Sequence, residues 1–411
     1  MFSRKTFKKT RLRNAAVLSA AIVLTLTGTV VAGAVDSDNT APTMAHWAVP
    51  PLKSNTPQTA EQAEYSRQNG RAKPNPELLQ PTLDPALHEF QPARNKSELR
   101  GDFKCASSDV LTELSKNWIA EFKRYYPNVN ISVDPPYAGS LGAVELINGN
   151  LDCAFVSREL KPTDVKSFRD AYGYDPTSVP ISGGSYRQFG WLDSLAFTVN
   201  KKNPMDKLSL DQLDSILSTT RARGGDPITT WGDLGLTGEW ADKPIRIYGI
   251  APWNGYEEFI RQRVLSTKDV RGEWRSPETD PNVHWEKTVF KLAQQVAADP
   301  YAIGYTGNAY IDAPVKVLSL SHHTGDPVYA PTYENVASAA YPLSRLAYLN
   351  MNKKPDAPLN PVFAELTRFI LSKQGQQVIR DQGIFLPLRG FQADSSYPIA
   401  GITADTPPPT P

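Results

Sequence analysis

The chain has 411 residues, with 44 Lys and Arg against 43 Asp and Glu, for a formal net charge of +1. Hydrophobic residues make up 40% and charged residues 21%, an ordinary globular balance in a chain long enough for about two domains. Such near-neutrality makes the chain a poor candidate for nucleic-acid binding, and the 35 prolines, many of them near the two ends, mark those ends as the parts expected to be loose.

Arg4, Lys5, Lys8, Lys9, Arg11 and Arg13 form a basic start that contains no acid. The apolar run AAVLSAAIVLTLTGTVVAGA follows, and Ala32-Gly33-Ala34 supplies the small-x-small pattern that a signal peptidase enters. Residues 1–34 therefore read as a signal peptide cleaved near Ala34, which makes the mature chain periplasmic or secreted. An uncleaved anchor helix is the alternative, because the run approaches the ~20 residues that span a bilayer. Gly28 and Gly33 weaken it as a span. No cysteine near this junction suggests a lipid anchor, and no adjacent Arg-Arg pair suggests twin-arginine export. Cleavage leaves 38 basic against 43 acidic residues, a net charge of −5, which further disfavours nucleic acid as a partner.

Residues 35–97 are polar and Pro-rich and read as an arm or linker, laid along the folded body and anchored by Trp47 and Phe90. Phe103-Lys104-Cys105-Ala106 is a short strand. A helix from about Asp109 to Tyr126 follows, because Val110, Leu111, Leu114, Trp118, Ile119 and Phe122 recur at intervals of three and four. Ser108 or Asp109 caps it and Pro127 stops it. Asn130 to Val133 is a strand, Leu141 to Ile147 a helix capped by Ser140, and Cys153 to Val156 a strand. That last strand is apolar throughout, as one buried on both faces of a parallel sheet must be. A helix around Thr163 to Tyr172 comes next. The two cysteines, Cys105 and Cys153, sit on predicted buried strands. An even pair in an exported chain suggests a disulfide, and two buried free thiols are the alternative.

A second βα region runs from about Leu195 to Ala340. LDSLAFTVNK is a strand, SLDQLDSIL a short helix capped by Ser209, PIRIYGI a strand and GYEEFIRQRVL a helix. YAIGYTGNAY holds a strand and a turn, and VKVLSL is another strand. YPLSRLAYLNMNK returns as a strand, and PVFAELTRFILSKQGQQVIRDQG reads as one long helix ended by Gly383. Residues 391–411, closing on DTPPPTP, read as a flexible tail.

In an open parallel sheet the loops beyond the strands' carboxyl ends converge on one edge, where ligands bind. Ser107-Ser108 and Ser157-Arg158 follow strands directly, and Gly139-Ser140 opens a helix. Serine hydroxyls beside unpaired helix-start N–H groups make a donor-rich cleft suited to a small oxyanion. A guanidinium adds planar two-point recognition.

These segments resemble the PstS-like family, the phosphate-binding proteins that serve ABC importers. YPLSRLAYLNMNK, FILSKQGQQVI and GIFLPL carry the resemblance at the carboxyl end. AIGYTGNAY, GSLGAVELINGNLDCAFVSREL, NPMDKLSLDQLDSIL and TWGDLGL carry it elsewhere, over about residues 98–390. The resemblance implies a two-lobed periplasmic-binding-protein-like α/β fold (type II), with two doubly wound sheets joined by two crossing strands near Trp191–Val199 and Tyr341–Asn350. Lobe I then comprises 98–195 plus 341–390, and lobe II 196–340. It also implies phosphate or a related oxyanion as ligand, an ABC transporter permease as partner, a monomer, no cofactor and no enzymatic activity. The ligand residues it implies are Ser107, Ser108, Gly139, Ser140, Ser157, Arg158, Asn254 and Gly255. Arg345 in YPLSR reads as structural, bridging the lobes.

The sequence departs from the family in the fourth loop. Asn254-Gly255-Tyr256 stands where phosphate binders place Ser-Gly-Thr, and Ile250, Ala251 and Pro252 stand where a basic residue is often found. Each hydrogen bond to a charged group is worth about 1.5–3 kcal/mol, so two uncompensated losses weaken binding by roughly 10²-fold or more. Asn254 and Tyr256 retain donors of their own. A non-transport envelope or secreted protein with a degraded anion site is therefore the competing expectation. A hydrolase is disfavoured, since no Gly-x-Ser-x-Gly or His-Glu-x-x-His occurs. His322-His323 is a poor metal site, because adjacent residues on a strand face opposite ways.

Overall fold

The computed structural model describes residues 82–133, 141–186, 191–252, 255–267, 269–287 and 289–404. The expected signal peptide, most of the expected arm with Trp47, Gly139, Ser140 and Asn254 lie outside the described residues. Two five-stranded sheets with separate hydrophobic cores define two lobes, and a two-stranded sheet accompanies them.

Lobe I begins with β1 (Gly101–Ser107) and α1 (Thr112–Tyr125), the latter entered through a 3₁₀ turn over Asp109–Leu111. Leu114, Trp118 and Phe122, four apart, put one stripe of α1 in the core. Trp118 donates from its indole to the carbonyl of Gly375 at 2.8 Å. Then come β2 (Val129–Ser132), α2 (Leu141–Ile147), β3 (Cys153–Val156), α3 (Pro162–Tyr172) and β4 (Thr177–Gly183). Lobe II comprises β5 (Leu195–Asn200), β6 (Lys207–Ser209), α4 (Leu210–Leu217), β7 (Arg246–Ile250) and α5 (Gly255–Ile260). A π turn over Arg261–Leu265 extends α5. β8 (Val283–Glu286), α6 (Leu292–Ala298), β9 (Ala302–Gly307), β10 (Val315–Val317), β11 (Ser319–Ser321) and α7 (Tyr333–Ala337) follow. The chain returns to lobe I as β12 (Leu346–Met351), α8 (Pro361–Leu371), α9 (Lys373–Gln382) and α10 (Gly390–Ala400).

The lobe I sheet has the order β2-β1-β3-β12-β4, and the lobe II sheet β10-β5-β9-β7-β8. β1 runs parallel to β2 and β3, whereas the returning β12 is antiparallel to β3 and β4. In lobe II, β7 is parallel to β8 and β9, and β5 is antiparallel to β9 and β10. The chain passes between lobes twice, after β4 and before β12. The two passages are stitched together: Gly184 N donates to Arg345 O at 2.7 Å, and Leu195 N to Leu343 O at 3.3 Å.

Several elements differ from the sequence reading. The expected single helix over 361–383 is two. Ser372 ends α8 and its hydroxyl accepts from Gly375 N as the cap of α9, so a local side-chain bond outcompetes helix continuation. VKVLSL divides into β10 and β11, which pair with β5 and β6 in different sheets. β4 carries Pro180, tolerated because β4 is an edge strand.

The boundary at 97 and the tail from 391 also shift. Asp84, Leu87 and Phe90 are buried, Phe90 edge-on to Tyr125 and Phe369, so the arm from Thr82 onward belongs to lobe I. Residues 390–400 are the helix α10 rather than tail. It docks on that arm: Asp84 Oδ2 accepts from Gly390 N at 3.0 Å, and Arg389 donates to Thr82 O at 2.6 Å.

Candidate functional site

Cys105 and Cys153 are register partners on β1 and β3, with Cα atoms 4.6 Å apart, and they are disulfide-bonded. The bond ties together the two strands whose outgoing loops carry the lobe I candidates. Ser107 and Ser108 are buried at the end of β1. Ser108 N extends the ladder by donating to Phe155 O at 2.8 Å, and Ser108 Oγ accepts from Ser157 N at 3.2 Å. Ser107 Oγ donates to Ser108 O at 3.1 Å. The Ser107-Ser108 and Ser157-Arg158 loops are thus one contiguous surface.

Arg158 is committed within lobe I. It donates to Glu159 O at 2.7 Å and lies 3.5 Å from Asp164 Oδ2. Asp164 also accepts from Lys161 N at 3.0 Å, which fixes the start of α3. Glu159 points across to lobe II. Its Oε1 accepts from Tyr348 Oη at 2.9 Å and from the Arg263 guanidinium, which comes from the π turn. Arg263 also lies over the Phe259 ring. A cavity of about 400 Å³ opens here between the loop after β3 and the helical segment of lobe II, lined among others by Glu159, Pro162, Phe259, Arg263 and Ser266.

Gly255 begins α5 and is exposed. Its neighbour Tyr256, weighed as a ligand donor in the sequence, instead donates to Asp193 Oδ1 at 3.0 Å. Asp193 Oδ2 accepts from Ala309 N at 2.9 Å. Gly307 allows this approach, since a Cβ there would stand 2.4 Å from Asp193 Oδ2. Burial pushes the Asp193 carboxyl up to about 6, against the pull of the Ala309 amide and the Arg345 charge. Arg345 lies over the rings of Phe259 and Tyr256, at 5.1 and 5.7 Å from their centroids.

Sequence reasoning missed Asp193, Tyr348, Glu159 and Arg263. A signal existed for the first: an acid in WLDSLAF, at the threshold of an apolar strand, has to find partners. The others are joined by tertiary packing between segments far apart in the chain. Among the described residues no group of three His, Cys, Asp or Glu side chains could hold a metal ion. No helix among them is long and apolar enough to cross a membrane.

A profile of the PBP superfamily domain matches residues 92–374. The chain is 35% identical over 322 residues to Phosphate-binding protein PstS of Pseudomonas aeruginosa, a match covering 78% of this chain and 92% of that protein. It is 24% identical over 301 residues to Protein SphX of Synechococcus elongatus, covering 72% and 80% respectively. Among solved structures, PstS from Borrelia burgdorferi superposes with a TM-score of 0.48 at 18% identity, over 71% of this chain and 100% of that one. With two separate cores, two chain crossings and a match to PstS along most of its length, the chain belongs to the PBP superfamily and, within it, to the PstS-like phosphate-binding protein family.

Proposed function

We propose that this chain is an exported solute-binding protein that captures phosphate, or a related small oxyanion, between its lobes and delivers it to an ABC importer. The observation that carries this reading is the junction of the two serine loops at the carboxyl ends of the parallel strands β1 and β3, with a cavity opening just beyond them between Glu159–Pro162 and the helical segment of lobe II. The hydroxyls of Ser108 and Ser157 supply donors on lobe I, Ser107 can join them only by releasing its bond to Ser108 O, and Gly139 and Ser140 are further candidates from the sequence. Asn254 and Gly255 are the candidates on lobe II, and a guanidinium meets the charge. The similarity to proteins named for phosphate binding supports the ligand class. The basic start, apolar run and small-x-small site support export.

One observation favours a second reading, a non-transport protein on the same fold. Tyr256 and Arg158, two groups the sequence offers to an anion, are bonded within the protein. Calorimetric titration with phosphate, sulfate, arsenate and methylphosphonate separates the two. The capture reading predicts saturable binding of at least one anion, together with a melting temperature raised by several degrees at millimolar ligand. Absence of binding to the whole panel sinks it in favour of the second.

A further inference from the structure

Four guanidinium groups stand where the lobes meet, and three are engaged. Arg158 is held by Glu159 O and Asp164. Arg223 donates to the carbonyls of Val264 and Arg263 at 2.6 and 2.7 Å, ending the π turn. Arg263 is paired with Glu159. Arg345 differs. Its Nε is buried without a hydrogen-bond partner, and no ion pair to its guanidinium is found among the described residues. The acids whose charge reaches it are Asp193 and Glu159. Both are satisfied elsewhere, Asp193 by Tyr256 and Ala309, Glu159 by Tyr348 and Arg263.

A guanidinium carries five N–H donors in a planar fork that matches an oxyanion edge. Contact with the rings of Tyr256 and Phe259 holds the group in place through its charge and uses none of those donors. Arg345 is half-buried, and enclosing its Nε without a hydrogen bond is unfavourable; the desolvation pulls the Arg345 pKa down. A fold that keeps such a group at a lobe crossing has a place for an anion. The same crossings hold buried hydroxyls without partners, on Ser194, Tyr341 and Ser344.

We propose that Arg345 is the residue that meets the captured oxyanion's charge, standing in for the cation absent upstream of Asn254, and that Arg158 is a positioning residue that fixes the loop after β3. This rests on the anion-capture reading and names its charge-bearing contact. The test is calorimetry on the full chain with phosphate, beside arginine Nε–H NMR of the same protein. Arg345→Met should weaken phosphate binding by about 10²-fold or more, the loss of two charged hydrogen bonds. Arg345→Lys should weaken it by roughly tenfold, since an ammonium gives one contact where the fork gives two. Arg158→Met should shift affinity by less than about threefold while lowering the melting temperature. The Nε–H resonance that disappears in Arg345→Lys should move when wild-type protein is saturated with phosphate. Wild-type binding that survives in Arg345→Met within about threefold, or a resonance unmoved at saturation, overturns this assignment and leaves the capture reading standing. A wild-type chain that binds none of the anion panel overturns both.

Discussion

Asp193 accepts one hydrogen bond on each oxygen, yet burial lifts its carboxyl from an ordinary 3.8 to about 6. The folded chain therefore holds this proton more tightly than the unfolded chain does. The contribution of Asp193 to stability is fullest below about pH 4, declines as pH rises, and is lost above about pH 6, a change of up to about 3 kcal/mol. Subtracting the unfolding free energy of Asp193→Asn from that of wild type isolates the effect, and this difference should fall between pH 4 and pH 6. A difference independent of pH would show that the carboxyl is not enclosed. Ser108→Ala leaves the amide of Ser157 without its acceptor and should destabilise the protein by about 1 kcal/mol, read by denaturant titration. The serine loops were legible because a hydroxyl after an apolar strand is a local pattern. Tyr256 was not: its phenol is drawn to Asp193 from 63 positions away, and sequence spacing carries no trace of that.

At the scale of elements, α5 and its π turn reach lobe I through the Arg263–Glu159 pair, with Tyr348 as a second donor. Both charged side chains are about one-third exposed, so the pair adds little to global stability. Glu159→Gln should change the unfolding free energy by less than about 1 kcal/mol while speeding hydrogen exchange of the amides over 259–265. A large loss of stability with unchanged exchange would contradict a role in joining the lobes. Helices with one apolar stripe, such as α1, were readable because their spacing is their structure. α10 was not, since Ser395, Ser396 and Pro398 read as loop. What makes it a helix is its docking on Asp84 and Thr82, through Gly390 and Arg389. The break at Ser372 could have been read, because a serine before Lys-Gln-Gly is as good a cap as an interior residue.

For the molecule as a whole, the Cys105–Cys153 bond closes a loop of 48 residues between the two strands that frame the serine loops. Replacing both cysteines by alanine should lower stability by about 4 kcal/mol, measured by denaturant unfolding. A loss under about 1 kcal/mol would mean that the strands hold their register unaided. The two-lobed plan was legible because βα alternation and family-like segments both pointed to it. The arm was legible in part: Phe90 is the buried anchor expected of it, but the boundary at 97 was not, because the contacts that set it lie hundreds of residues away: Phe90 N meets Gln374, and His88 O accepts from Lys373 N. That docking has a topological consequence. Because Thr82 and Asp84 are clamped to Arg389 and Gly390, and Arg368 donates to both Gln91 O and Ala404 O, the first and last described segments pack on the same part of lobe I. A flexible Gly-Ser bridge from residue 404 to residue 82, long enough to run back along α10, with new termini cut into an exposed turn such as 323–326, should yield a circular permutant that folds.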